Sequence, residues 1–65
     1  MKLNYHPETD CLYIDLSEKS SVESKEISEG IVLDYDAEGN LVSIEVLDAS
    51  HRVSEARSMQ FQVAG

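Results

Sequence analysis

The chain has 65 residues, with 13 acidic against 5 basic side chains and a formal net charge of −8. Such a field repels nucleic-acid phosphates and anionic lipid surfaces, so neither nucleic acid nor membrane is an expected partner. A single domain of this size has a core worth about 3 to 5 kcal/mol net, and the lone cysteine, Cys11, excludes an internal disulfide as further support, which leaves oligomerisation.

In chain order, Leu3 to Leu16 comes first. Leu3 and Tyr5 alternate before the turn chemistry of His6-Pro7-Glu8-Thr9-Asp10, and Leu12, Ile14 and Leu16 alternate after it. This predicts a β-hairpin with Tyr5 opposite Leu12. Ser17 to Gly30 opens with the polar loop SEKSS and continues as VESKEI, a short strand. Lys25 and its flanking glutamates suit an exposed sheet edge, where charge discourages foreign strands. Ser28-Glu29-Gly30 then turns or bulges the chain into the next segment.

Ile31 to Ser50 reads IVLDYDAEGNLVSIEVLDAS, two alternating runs around a Gly-Asn turn. Because one face of a strand pair must be buried, the register is argued from the side chains. Pairing Tyr35 with Val42 puts Leu33 opposite Ile44 and Ile31 opposite Val46 on one face, with Asp34 meeting Ser43 on the other. A shift by one residue would set Leu33 against Ser43 and lose most of the burial. The loop is then Ala37 to Asn40, and Leu33 and Ile44 are expected in the core. Gly39 and Asn40 tolerate the positive φ that such a loop needs. Cys11, Tyr13, Val32, Leu41 and Leu47 alternate onto the outward face, which asks for a cover.

After Leu47 the period changes, and Asp48 and Ser50 offer N-cap side chains ahead of HRVSEARSM. A short helix is expected, with Ala49, Val53, Ala56 and Met59 or Gln60 on its buried face and Arg52, Glu55 and Arg57 in water. The whole reads as an α+β fold: a small antiparallel sheet of two hairpins and a middle strand, then one short C-terminal helix. Residues 1–58 make the domain, and 59–65, where Phe61 and Val63 alternate, make a frayed tail.

At an offset of thirty residues, LNYHPETDCLYIDL and LDYDAEGNLVSIEV agree at Leu3/Leu33, Tyr5/Tyr35, Glu8/Glu38 and Ile14/Ile44, which reads as a duplicated hairpin. LDYD, the Gly downstream of it, IEVLDAS and the opening Y-x-P-E-x-D-x-L-Y-I together resemble the small YuzE-like family of bacteria and archaea, over residues 1 to 51. His6 stands where that family usually has Asp, and Cys11 where Ala is common. The resemblance implies a compact β-rich domain of uncharacterised role and brings no catalytic residue.

The sharpest chemical motif is Asp34 to Glu45. Asp34, Asp36, Glu38, Gly39 and Glu45 fall at calcium-loop positions 1, 3, 5, 6 and 12. Its flanks are strands instead of helices, so the carboxylates read as turn and surface groups. His6 and Cys11 face each other across the first turn without a third member. A Cys at a sheet edge is more often a small hydrophobe. His51, with Asp48 before it, suits local capping. The remaining carboxylates are expected solvated and ionised, with no apolar pocket to raise one for acid catalysis.

No enzyme and no cofactor is therefore expected. The reading is an acidic, self-associating or protein-binding module, antitoxin-like or regulatory, forming a homodimer and taking a basic protein partner. The alternative is divalent-cation binding through Asp34, Asp36, Glu38 and Glu45. MKLNYHPETD holds no signal-like apolar run, and no stretch reaches the roughly 18 apolar residues of a membrane span, so a cytoplasmic location is expected.

Overall fold

Both alternating segments pair as hairpins in a computed structural model that describes every residue except Glu55, Arg57, Met59 and Gly65. Strand β1 (Lys2–His6) pairs with β2 (Cys11–Asp15), and β4 (Ile31–Tyr35) with β5 (Leu41–Leu47). Strand β3 (Glu23–Ser28) is added outside β4, and α1 (Ala49–Arg52) follows the sheet. The five strands run in the order β1-β2-β5-β4-β3, with every neighbour antiparallel. The fold is α+β and mostly β.

The first hairpin has the expected register, with Tyr5 opposite Leu12 and Leu3 opposite Ile14. The second keeps Ile31 opposite Val46, Leu33 opposite Ile44 and Asp34 opposite Ser43. Beyond Asp34 it departs from expectation: Tyr35 faces Leu41, not Val42, because a bulge inserts Val42 as an extra residue. The Val42 carbonyl accepts the N–H groups of Leu16 (2.8 Å) and Ser17 (3.2 Å), where the chain leaves β2, so a tertiary contact holds the bulge. The bulge also moves Leu41 off the outward set and onto the side of Tyr35.

Where the hairpins meet, β2 and β5 pair with Ile14 opposite Ile44, residues that the thirty-residue offset makes equivalent. Leu12 lies opposite Val46 in the same ladder, and Leu16 bonds to Val42, the equivalents of Val46 and Leu12. The duplication thus becomes a local two-fold axis through the Ile14/Ile44 pair, with strand order hairpin, then inverted hairpin. Strand β3 and α1 break that symmetry.

The helix closes over one end of the apolar face, and Val42, at the bulge, is buried apart from that cluster. Leu12, Val46 and Ala49 are buried together, with Tyr5, Ile14, Ile31, Ile44, Val53 and Ala56 packed around them. Leu33 and Ile44, expected as core, are half-buried, since α1 is a single turn and does not extend over the Leu33 end. Ala49, Val53 and Ala56 face the sheet as expected; Met59, Glu55 and Arg57 lie outside the described residues.

The helix is not capped by its own side chains. Asp48 sits in the left-handed region at φ 53° and makes no side-chain cap. The cap comes from the first hairpin turn, forty residues away in sequence: the Asp10 carbonyl accepts the Ala49 N–H (2.9 Å), and its carboxylate accepts the Ser50 N–H (3.0 Å) and hydroxyl (2.7 Å). The Tyr5 hydroxyl donates to the same carboxylate at 2.7 Å. Hydrogen bonds from Ser50 and then Tyr5 hold the Asp10 carboxyl below its ordinary pKa of 3.8.

Arg52 is not simply solvated either. Its Nε donates to the Leu47 carbonyl at 2.9 Å, and its guanidinium covers Gly30. A Cβ built on Gly30 would stand 2.5 Å from that Nε, and Gly30 has φ +77°, so both space and backbone call for glycine at the β3–β4 turn. Strand β3 is exposed along its whole length and carries Glu23, Lys25 and Glu26, as a guarded edge should.

Candidate functional site

Strand alternation fixes what lies on the sheet face opposite α1. The ladders align Lys2, Asp15, Ser43, Asp34 and Ser24 in one row across the sheet, and Asn4, Tyr13, Glu45, Val32 and Glu26 in the next. His6, Cys11 and Leu47 make a third. Cys11, Tyr13, Val32 and Leu47 are all half-buried there. This face mixes carboxylates with apolar groups, and α1 packs on the other side.

At its centre is Asp34, only 5 % exposed. It was expected to be solvated; instead both oxygens are satisfied within the sheet. Ser24 on β3 donates to Oδ1 at 2.5 Å and Ser43 on β5 donates to Oδ2 at 2.6 Å, so one carboxylate ties three strands. Burial pushes the Asp34 pKa up, but the bonds from Ser24, Ser43 and Glu45 outweigh it and leave the group below its ordinary 3.8. Glu45, diagonal to Asp34, is the other half of this arrangement. Its hydrogen bond to Asp34, then burial and the Asp34 charge, raise its pKa above the ordinary 4.5. The two carboxyls are thus shifted in opposite directions, Asp34 down and Glu45 up.

Tyr13 lies directly across the ladder from Glu45. Its ring meets His6 edge to face, with centroids 5.3 Å apart and planes at 84°. The Cys11 sulfur, then burial and the Glu45 charge, raise the Tyr13 pKa. His6 and Cys11 do face each other as expected, but the thiol donates to the Thr9 carbonyl at 3.5 Å and His6 turns to Tyr13.

The four calcium-pattern carboxylates do not surround one point. Asp36, 7 % exposed, folds its Oδ1 back onto the N–H groups of Glu38 and Asn40, each at 2.9 Å. The Asn40 N–H first, then the Glu38 N–H and the Lys19 charge, keep its pKa low against the effect of burial. Glu38 is exposed and turned to Lys19, 3.7 Å away. Among the described residues, no group of three or more His, Cys, Asp or Glu side chains is arranged to hold a metal ion.

His51 makes no side-chain cap; its N–H donates to the Asp48 carbonyl at 3.0 Å. Two open hollows flank the sheet, one of about 690 Å³ at Met1, Lys2 and Asp15 to Glu18, the other of about 210 Å³ at Tyr5, Ser50, Val53, Ser54 and Ala56. Neither is lined by Asp34 or Glu45. Sequence reasoning missed the burial of Asp34, although the Asp34–Ser43 pairing it derived was the available signal. It also missed Asp10 as a cap, for which no local pattern exists.

A family model described as a protein of unknown function (DUF2283) matches residues 2–50, a span that holds every residue of this face. No curated protein and no solved structure matches the chain. No helix among the described residues is long and apolar enough to cross a membrane.

Proposed function

We propose that this chain, which belongs to the DUF2283 family, is a non-enzymatic binding module whose bare sheet face seats another protein. One observation carries the reading. The short helix and the residues after it pack over Tyr5, Leu12 and Val46, whereas Tyr13, Val32, Leu47 and Cys11 on the opposite face are left half-exposed in one contiguous patch. A grouped apolar patch on a small domain marks association more often than scattered surface hydrophobes do.

Size sets the strength. Five strands at about 4.8 Å spacing and about 17 Å long give a face of roughly 400 Å², against about 800 Å² per partner in a standard stable interface. Contact through this face alone is therefore weak and exchangeable, as suits a regulatory or antitoxin-like subunit. A two-fold homodimer is the simplest self-contact, since one patch then covers its own copy. Phe61 and Val63 are also exposed, at 71 % and 77 %. A basic protein is the competing occupant. The narrower YuzE-like resemblance of residues 1 to 51 fits the same reading, and cation binding through Asp34, Asp36, Glu38 and Glu45 has no comparable observation behind it.

Light scattering coupled to size exclusion tests this at low and moderate salt. The apparent mass should rise above one chain with concentration, more readily as salt screens the repulsion between chains of −8. Leu47→Ser should abolish the rise. A mass of one chain up to hundreds of micromolar, or a rise that Leu47→Ser leaves intact, overturns self-association through this face.

A further inference from the structure

The bare face carries charge as well as apolar surface, and the identity of its occupant, which rests on the binding-module reading above, follows from that charge. Asp15, Glu26, Asp34 and Glu45 lie on it, with Lys2 only at the end of a row on the outer strand β1. Neither Asp34 nor Glu45 has a Lys or Arg partner among the described residues, since the ion pairs of Lys19 go to Asp36 and Glu38. A second copy would bring the same carboxylates to the contact. A cationic partner is complementary to them.

We propose that the face selects a basic protein partner, one of whose arginine side chains lies over Glu45, between Tyr13 and Val32, with Asp34 beneath. Three features of the place favour arginine. Glu45 is half-exposed and has its Asp34 neighbour held rigidly by Ser24 and Ser43, so the negative charge is fixed in position before the partner arrives. The Tyr13 ring, steadied edge-on by His6, stands directly across the ladder and offers a surface on which a planar cation can stack. A guanidinium is also less strongly hydrated than an ammonium and forks toward carboxylate oxygens, so it loses less on entering a half-apolar face than lysine does. Val32 and Leu47 then meet the apolar stem and neighbours of the incoming residue.

The test titrates the isotope-labelled full chain with acetylated, amidated hexa-arginine and hexa-lysine peptides at physiological salt, following backbone amide shifts. The arginine peptide should shift Tyr13, Val32, Ser43 and Glu45 saturably and bind more tightly than the lysine peptide. Glu45→Gln should weaken it about tenfold, the scale of one charge-assisted hydrogen bond. Glu38→Gln, the same charge change in an exposed turn, should weaken it less than about twofold. Tyr13→Leu keeps the apolar surface and should erase the preference for arginine over lysine. Equal losses for Glu45→Gln and Glu38→Gln, equal binding of the two peptides, or shifts spread over the acidic loops would show long-range attraction only and overturn the proposal. If that happens while Leu47→Ser still abolishes self-association, the wider reading stands and only the arginine seat falls.

Discussion

Leu12→Ala and Leu33→Ala remove the same atoms from the same side of the sheet, and the two variants should differ sharply in cost. Leu12 is 7 % exposed and lies under Ala49, beside Val46. Losing three carbons at about 0.8 kcal/mol each, plus the cavity left beneath a helix that is anchored by Asp10 and cannot settle freely, gives roughly 3 kcal/mol. Leu33 sits on the same face by register but is half-exposed and outside the buried cluster. Part of its transfer energy is already forgone and no closed cavity can form, so its truncation should cost about 1 kcal/mol. Against a total of about 3 to 5 kcal/mol, the first variant should keep at most about 2 kcal/mol and stand at the edge of unfolding. The second should melt about 4 to 8 °C below the parent. Thermal and urea unfolding by circular dichroism at low micromolar concentration measures both. If Leu33→Ala costs as much as Leu12→Ala, the Leu33 end is covered and the argument for an incompletely closed face is wrong.

The pH dependence has two limbs of opposite sign. Asp10, Asp34 and Asp36 titrate below their ordinary 3.8, so each stabilises the fold above that pH and its share is lost as pH falls through the depressed values. Glu45 titrates above its ordinary 4.5, so its share is lost as pH rises through the raised value. Melting temperature against pH should therefore be higher in Glu45→Gln on the neutral side with the acid limb unchanged; an unchanged neutral side would refute the Asp34–Glu45 coupling. Asp10→Ala should speed hydrogen exchange at the Ala49 and Ser50 amides while leaving the β4–β5 ladder protected, and equal acceleration in both places would mean that Asp10 supports the whole sheet. Gly30→Ala should destabilise by roughly 1 to 2 kcal/mol for its left-handed backbone, with more where Arg52 has to move, as read by urea unfolding. A variant as stable as the parent would remove the reason given for that glycine. Calcium at millimolar concentration should leave the melting temperature unchanged, because the Asp34 and Asp36 oxygens already hold protein donors; a stoichiometric shift would show that the turn rearranges around the ion.

How much of this was legible in the chain follows from the range of each interaction. Alternation and turn residues act between neighbours in sequence, so both hairpins, the first register, most of the second and the edge character of β3 could be read directly. The duplication could be read as well, and with it the equivalence of Ile14 and Ile44 that becomes the centre of the sheet. Everything else depended on segments far apart in the sequence. The bulge at Val42 is held by the exit of β2, the helix is capped from Asp10, and Gly30 answers to Arg52. Asp34 shows the division most plainly. Period two placed it on the face away from the helix, which sequence reasoning equates with water, yet Ser24 and Ser43 on its two neighbouring strands close over it. Away from the bulge at Val42, which turns Leu41 to the other side, local patterns determine which way a side chain points, because alternation is a property of the strand backbone. Whether the place it points to is wet, charged or filled is decided only when the strands on either side are brought together.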